Sequence, residues 1–266
     1  MGIFDSTKTR VTPVFDHLVS ADPSGSSWLS SLLQLPDYGP GSQGPINPGV
    51  ISEIAYGAEE KSLNPPATLL HWLIDHPDEM SPPVNIGSHR TAEKRLALMR
   101  GDPHHVQDAH AGVNSRKLHQ KWYVFESASH PDVYIETDRA IIVIEGKRTE
   151  SGPTLSTSWM PVRHQMIRHL DGGLELAGER HLFGFFIVEG DQQRAVPTEW
   201  VQASKETISD QSLARGLPHR SAEQIAIIRT SFLGVTTWQA LCAELGIPSN
   251  VLLERSSLDN IKMQAG

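Results

Sequence analysis

Three residues near the middle of the chain carry the strongest chemical signal: Asp132, Glu145 and Lys147. They lie in the run His130-Pro-Asp-Val-Tyr-Ile-Glu-Thr-Asp-Arg-Ala-Ile-Ile-Val-Ile-Glu-Gly-Lys147, two apolar stretches around a polar centre, Asp138-Arg139. If Asp138 and Arg139 form the turn of an antiparallel hairpin, Thr137 pairs with Ala140 and Asp132 falls directly across from Glu145. Opposed residues share a face, with Cβ atoms about 5 Å apart. Lys147, two residues beyond Glu145, returns to that face. Facing carboxylates repel in a plain hairpin, but a hard divalent cation between them reverses the sign, because such cations take carboxylate oxygens. A lysine beside the pair can hold a water or a phosphate oxygen. Metal, activated water and a cation next to a phosphate are the ingredients of phosphodiester hydrolysis.

The hairpin itself reads as buried. Val133, Ile135, Ile142 and Ile144 share the opposite face, and Tyr134, Ile141 and Val143 accompany the carboxylates, so both faces are expected to be covered. Arg139 is a poor residue for a tight primed turn, which wants φ > 0. A four-residue loop would keep the same pairing, whereas a three-residue loop without a bulge would put the carboxylates on opposite faces. Short strands are predicted at Lys121–Glu126, Asp132–Thr137 and Ala140–Lys147. A polar loop then leads to a helix from Trp159 to Leu170, with Trp159, Met166, Ile167 and Leu170 as its apolar stripe. A buried strand follows at His181–Glu189. Upstream, a Gly/Pro-rich loop at 36–49 precedes predicted helices at Pro66–His76, Thr91–Arg100 and Val106–Leu118. From Pro197 onward the signals are helical. Ser221-x-x-Gln224 opens a helix that Gly234 closes, and Thr236-x-x-Gln239 opens another ending at Gly246. The order of helices, three strands, helix, strand and helices is that of an α/β core with helical flanks.

Pro131-Asp132 followed by Glu145-Gly146-Lys147, within this order of elements, resembles the signature of the PD-(D/E)XK nuclease superfamily over about residues 90–190. The resemblance implies a restriction-endonuclease-like core, a mixed central sheet flanked by helices, with helical additions at both ends. It implies Asp132 and Glu145 as ligands of Mg²⁺, with Mn²⁺ as a substitute, and the Gly146 carbonyl as a further ligand. Lys147 is implied as the catalytic lysine, and Gln165 as the helix glutamine that some members place near the site. Many members also carry a first-helix glutamate, for which Glu93 is the candidate and Glu53 a poorer one. The domain division that follows is an acidic, loop-rich extension over 1–89, the nuclease-like core over 90–190 and a helical region over 191–266. The implied activity is hydrolysis of nucleic acid, with DNA the first expectation. The alternative is a catalytically inactive nuclease-like fold that binds or scaffolds.

Composition sets outer limits. The net charge of −8 argues against a protein that coats nucleic acid indiscriminately, and it is uneven, with four basic against ten acidic residues in the first 90. A nucleic acid would therefore meet the later part of the chain. A protein partner or a second copy of the chain remains open. No apolar run approaches a membrane span, so no membrane partner is expected. The opening Met-Gly-Ile-Phe-Asp-Ser lacks a secretory pattern and matches a myristoylation pattern only by chance, so a cytoplasmic location is expected. The single Cys242 excludes internal disulfides and thiolate zinc clusters.

Weaker signals each have a plainer explanation. Arg148, Arg163, His164, Arg168 and His169 would line a phosphate-binding face, or would simply be the solvated side of a helix. His104, His105 and His110 suggest a metal site, but with no cysteine or carboxylate to complete a zinc pattern they read as a polar loop. Thr237–Glu254 loosely resembles a helix-turn-helix and reads better as an αα-hairpin closing the core. Trp28, Trp72, Trp200 and Trp238 read as core or seam residues.

Overall fold

The computed structural model describes residues 6–41, 46–115, 122–154, 157–191 and 194–252. The strands are β1 (Asp37–Tyr38), β2 (Ile51–Tyr56), β3 (Val133–Thr137), β4 (Ala140–Gly146), β5 (His181–Val188) and β6 (Phe232–Thr237). They form one open mixed sheet in the order β1-β6-β5-β4-β3-β2. β4, β5 and β6 run parallel, and β1, β2 and β3 are antiparallel to their neighbours. The protein is thus of the α/β class, with helices on both faces of the sheet.

Alternation along the strands feeds two cores. Val133, Ile135, Ile142, Ile144, Phe185 and Ile187 pack beneath α1 (Thr12–Ala21), α2 (Leu29–Gln34) and α10 (Trp238–Glu244). Tyr134, Ile141, Val143, Phe186 and Val235 face α6 (Gln165–Ala177), α7 (Thr198–Thr207), α8 (Asp210–Gly216) and α9 (Ala222–Ser231). A third cluster joins α3 (Ala67–Asp75), α4 (His89–Met99) and α5 (Pro103–Asn114) to Trp122, Phe125 and Trp159. Trp28, Trp200 and Trp238 are buried and Trp72 is partly so, as expected for core and seam residues. Among the described residues no helix is long and apolar enough to cross a membrane.

Several expectations are corrected. Trp122–Glu126 is not a strand; Lys121 lies outside the described residues. Arg95 takes its backbone, donating to the carbonyls of Trp122 (2.6 Å) and Val124 (3.2 Å), while Trp122, Tyr123 and Phe125 fill the third core. The strand beside β3 is instead Ile51–Tyr56, from within the stretch read as an N-terminal extension. The boundaries at 89 and 190 therefore cut through the sheet. The C-terminal stretch is not wholly helical either, because β6 follows α9 without a loop. Gly234 does not close a helix. It sits in β6 at φ +104, where a Cβ would lie 1.8 Å from the Asp37 carbonyl oxygen, so its bare backbone lets β1 approach. The helix expected from Trp159 starts only at Gln165, with His164 as its cap. After α10 the chain makes a single 3₁₀ turn, Ser249–Val251, so the hairpin expected there is not formed up to residue 252; its remainder lies outside the described residues.

Candidate active site

Asp132 stands just before β3 and Glu145 next to the last residue of β4. Val133 pairs with Ile144, Tyr134 with Val143, Ile135 with Ile142 and Glu136 with Ile141, which is the expected register. The turn meets the difficulty of Arg139 by not being primed: the positive-φ residues other than glycine are Tyr38 and Arg194 among those described. Thr137 Oγ1 instead accepts from the backbone N–H groups of Arg139 (3.0 Å) and Ala140 (2.7 Å).

The register brings the acids together. Asp132 Oδ2 accepts the Gly146 N–H at 2.8 Å, and Thr7 Oγ1 makes a long contact to Oδ1 at 3.4 Å. Glu145 is 2% exposed; its Oε1 lies 2.8 Å from Lys147 Nζ, and its Oε2 lies 3.0 Å from His169 Nε2. The Asp132 and Glu145 carboxyls face each other at the end of the hairpin, near enough for each to shift the other's titration. Burial, and then the Glu145 charge, push Asp132 up to about 7. Burial also raises Glu145, against the pull of Lys147. Burial disfavours the Lys147 ammonium, yet Glu145 outweighs it and the lysine stays charged. His169 is driven down to about 3, by burial first and Arg168 second. It is therefore neutral at pH 7 and its Nε2–H donates to Glu145. Among the described residues, the Lys147 ammonium faces both acids, with Glu150 adding a smaller negative field.

The walls come from distant parts of the chain. A Cβ on Gly146 would lie 2.8 Å from Trp238 Cζ2 and 2.9 Å from Val11 Cγ2, so only glycine fits between them. Thr7 and Val11 belong to a π-helical turn ahead of α1. Its Arg10 holds it to the sheet, with Nε and Nη2 at 2.7 and 3.0 Å from the carboxylate of Glu189, just after β5. Gln239 Nε2 donates to the same carboxylate at 2.6 Å.

Gln165 opens α6, one turn before His169. Its Oε1 is buried without a hydrogen-bond partner, and so is His169 Nδ1. The sequence places His169 only on a phosphate-binding face; the structure turns it to Glu145 instead. Its spacing of four from Gln165, which puts both on one helix face, is the signal that points to it. No local pattern points to Thr7 or Val11.

The phosphate-binding face is not formed as expected. Arg163 is buried and bridges Glu126 (2.7 Å) and Asp171 (2.5 Å). His164 is buried, its Nδ1 capping α6 through the Ile167 N–H and its Nε2–H on the Thr207 carbonyl. Arg168 donates to the Ser127 carbonyl at 2.9 Å. Neither glutamate proposed for the first helix joins the site. Glu93 is exposed beside His89 on α4, and Glu53 lies on β2 with its carboxylate held by Lys61 at 2.6 Å.

The donor set suits a hard divalent cation. Two facing carboxylates offer oxygen ligands, and burial together with the Glu145 charge raises Asp132 to about 7 beside the single lysine. No protein-family model, curated protein or solved structure matches this chain.

Proposed function

We propose that the chain is a metal-dependent phosphodiesterase with a restriction-endonuclease-like core, acting on nucleic acid and on DNA first. The observation that carries this reading is the β3–β4 register, which joins Asp132 to Glu145 and sets Lys147 Nζ 2.8 Å from Glu145. Asp132 and Glu145 would hold Mg²⁺, or Mn²⁺ in its place, with the Gly146 carbonyl as a further ligand. Mg²⁺ bound there supplies a Lewis acid for a phosphate oxygen and a more acidic water. Lys147 neutralises Glu145 and presents an ammonium to the attacking water or to charge developing on phosphate. His169 fixes the other Glu145 oxygen, and Gln165 offers its free carbonyl to a water or to the metal.

The test is cleavage of single-stranded DNA, duplex DNA and RNA with Mg²⁺ or Mn²⁺, beside Lys147→Ala and Glu145→Ala. The expected result is metal-dependent cutting that falls roughly 10²-fold or more in either variant, on the scale of losing one transition-state charge partner. Parent-like cutting by Glu145→Ala would end the assignment. A second reading, a non-catalytic binding or scaffolding protein, draws on the inward-turned Arg163, His164 and His169, which leave few cations for a phosphate backbone. Folded protein that binds Mn²⁺ through Asp132 yet cuts none of the three substrates would favour it.

A further inference from the structure

Two histidines on the third cluster meet in an arrangement that the carboxylate site does not use. His71 is on α3, with Asp75 one turn later; His110 is on α5, with Asn114 one turn later. His110 Nε2 lies 2.8 Å from Asp75 Oδ1, and His71 Nε2 lies 3.1 Å from Asn114 Oδ1. Both partners are acceptor oxygens, so each Nε2 carries the ring's proton. A neutral imidazole has one N–H, which leaves a lone pair on each Nδ1. Those two Nδ1 atoms are 2.6 Å apart. The ring centroids are 4.9 Å apart and the planes differ by 20°. That separation is about the N···N contact plus two ring radii, so the rings meet edge to edge and the lone pairs point at each other. Two facing lone pairs repel unless a cation lies between them.

We infer that His71 and His110 are the protein ligands of a second cation site, suited to a first-row transition ion such as Zn²⁺ or Ni²⁺, that ties α3 to α5. Imidazole nitrogen selects such ions over Mg²⁺. Ligating histidines characteristically donate their other ring N–H to a carboxylate or carbonyl, the role that Asp75 and Asn114 fill here. Tetrahedral bonds of about 2.0–2.1 Å need the nitrogens roughly 3.3 Å apart, a widening of under about 1 Å that small side-chain rotations supply. Asp75 is 53% exposed and His110 28% exposed, so an ion can enter and water can complete its coordination. By sequence alone His110 groups with His104 and His105 in a polar loop without a carboxylate. All three are on α5, and His104 and His105 do gather beside Asp102. That second group is poorer for a cation. Asp102 Oδ1 is committed to the N–H of His105 at the helix start, where the helix dipole opposes positive charge.

The experiment is calorimetric titration of tag-free, chelator-stripped full chain with Zn²⁺ and then Ni²⁺, at pH 7.5 with excess Mg²⁺. One ion per chain is expected, unaffected by Mg²⁺ and retained in Asp132→Ala and His104→Ala. Binding should be lost in His110→Ala and in His71→Gln, and weakened roughly 10–100-fold in Asp75→Ala, the usual effect of removing such a partner. Circular dichroism of each variant separates lost binding from lost folding, and either histidine variant alone suffices if the other does not fold. Three results would overturn the inference: no uptake by the parent, which leaves a proton-sharing imidazole pair; uptake unchanged in the folded histidine variants; or uptake lost in His104→Ala or Asp132→Ala.

Discussion

Helix α6 serves two buried acidic centres that are solved in opposite ways. Two residues apart, His169 reaches Glu145 and Asp171 reaches the other side. Asp171 is fully buried, yet Arg163 (2.5 Å), Arg220 (2.7 Å) and His219 (3.1 Å) surround it, and Arg163 also holds Glu126. Burial alone would raise its pKa, but these partners hold it far below the usual carboxylate range. At Asp132 and Glu145 the balance is reversed, with two acids, one lysine and a neutral histidine, and Asp132 rises to about 7. A buried acid with more cations than it needs is a structural device. A buried acid with fewer leaves a charge for something outside the chain to satisfy.

The comparison can be broken hardest at Arg163. Arg163→Ala leaves the buried Glu126 without its close cation, while Asp171 keeps Arg220 and His219, and is expected to cost about 3–5 kcal/mol, read by denaturant unfolding. Loss below about 1 kcal/mol would mean that the cluster is not the satisfied centre described. Gly146→Ala asks whether the other centre is also tightly walled. Its Cβ meets Trp238 and Val11, so about 1–3 kcal/mol of destabilisation is expected from overpacking.

The sharpest contrast is in pH. Asp132 is raised to about 7 in the folded chain, against about 4 in an unfolded one, so the folded state binds the extra proton. Stability that is present below about pH 4 is then lost as pH climbs through about 7. In chelator, Asp132→Asn should escape this loss and gain on the parent by about 2–3 kcal/mol between pH 5 and pH 8. Parallel stability curves for the two proteins would remove the surplus-charge argument. Mg²⁺ should raise the Tm of the parent more at pH 8 than at pH 6, because it replaces that proton. Least affected should be Glu93→Ala and Glu53→Ala. Both carboxylates are solvent-facing, so stability should change by about 0.5 kcal/mol or less, with cleavage unchanged.

The hairpin was legible because its information is local: alternating apolar residues around Asp138-Arg139 allow one register that buries both faces. Helices α3, α4 and α9 were legible for the same reason, through spacing and caps. What escaped depends on distant partners. Trp122–Phe125 has the composition of a strand, and Arg95 together with the packing of the third core makes it something else. Ile51–Tyr56 reads as part of a loop-rich stretch until β3 offers it an edge. β6 was hidden because α9 runs into it without punctuation, and Gly234 there serves the approach of β1 rather than a helix end. At the site, Asp132, Glu145 and Lys147 share one hairpin and could be paired on paper. The burial of Arg163 and His169, facing their partners rather than solvent, could not.

Gly146 has a consequence for how the protein comes into being. Its neighbours, Val11 and Trp238, come from near opposite ends of the described chain. The carboxylates and the lysine are translated mid-chain, but their enclosure waits until the segment carrying Trp238 has emerged and packed. Contacts so remote in sequence close slowly, since a long loop must be ordered before they form. A nascent chain stopped short of α10 therefore carries the acids without the Trp238 wall that encloses them.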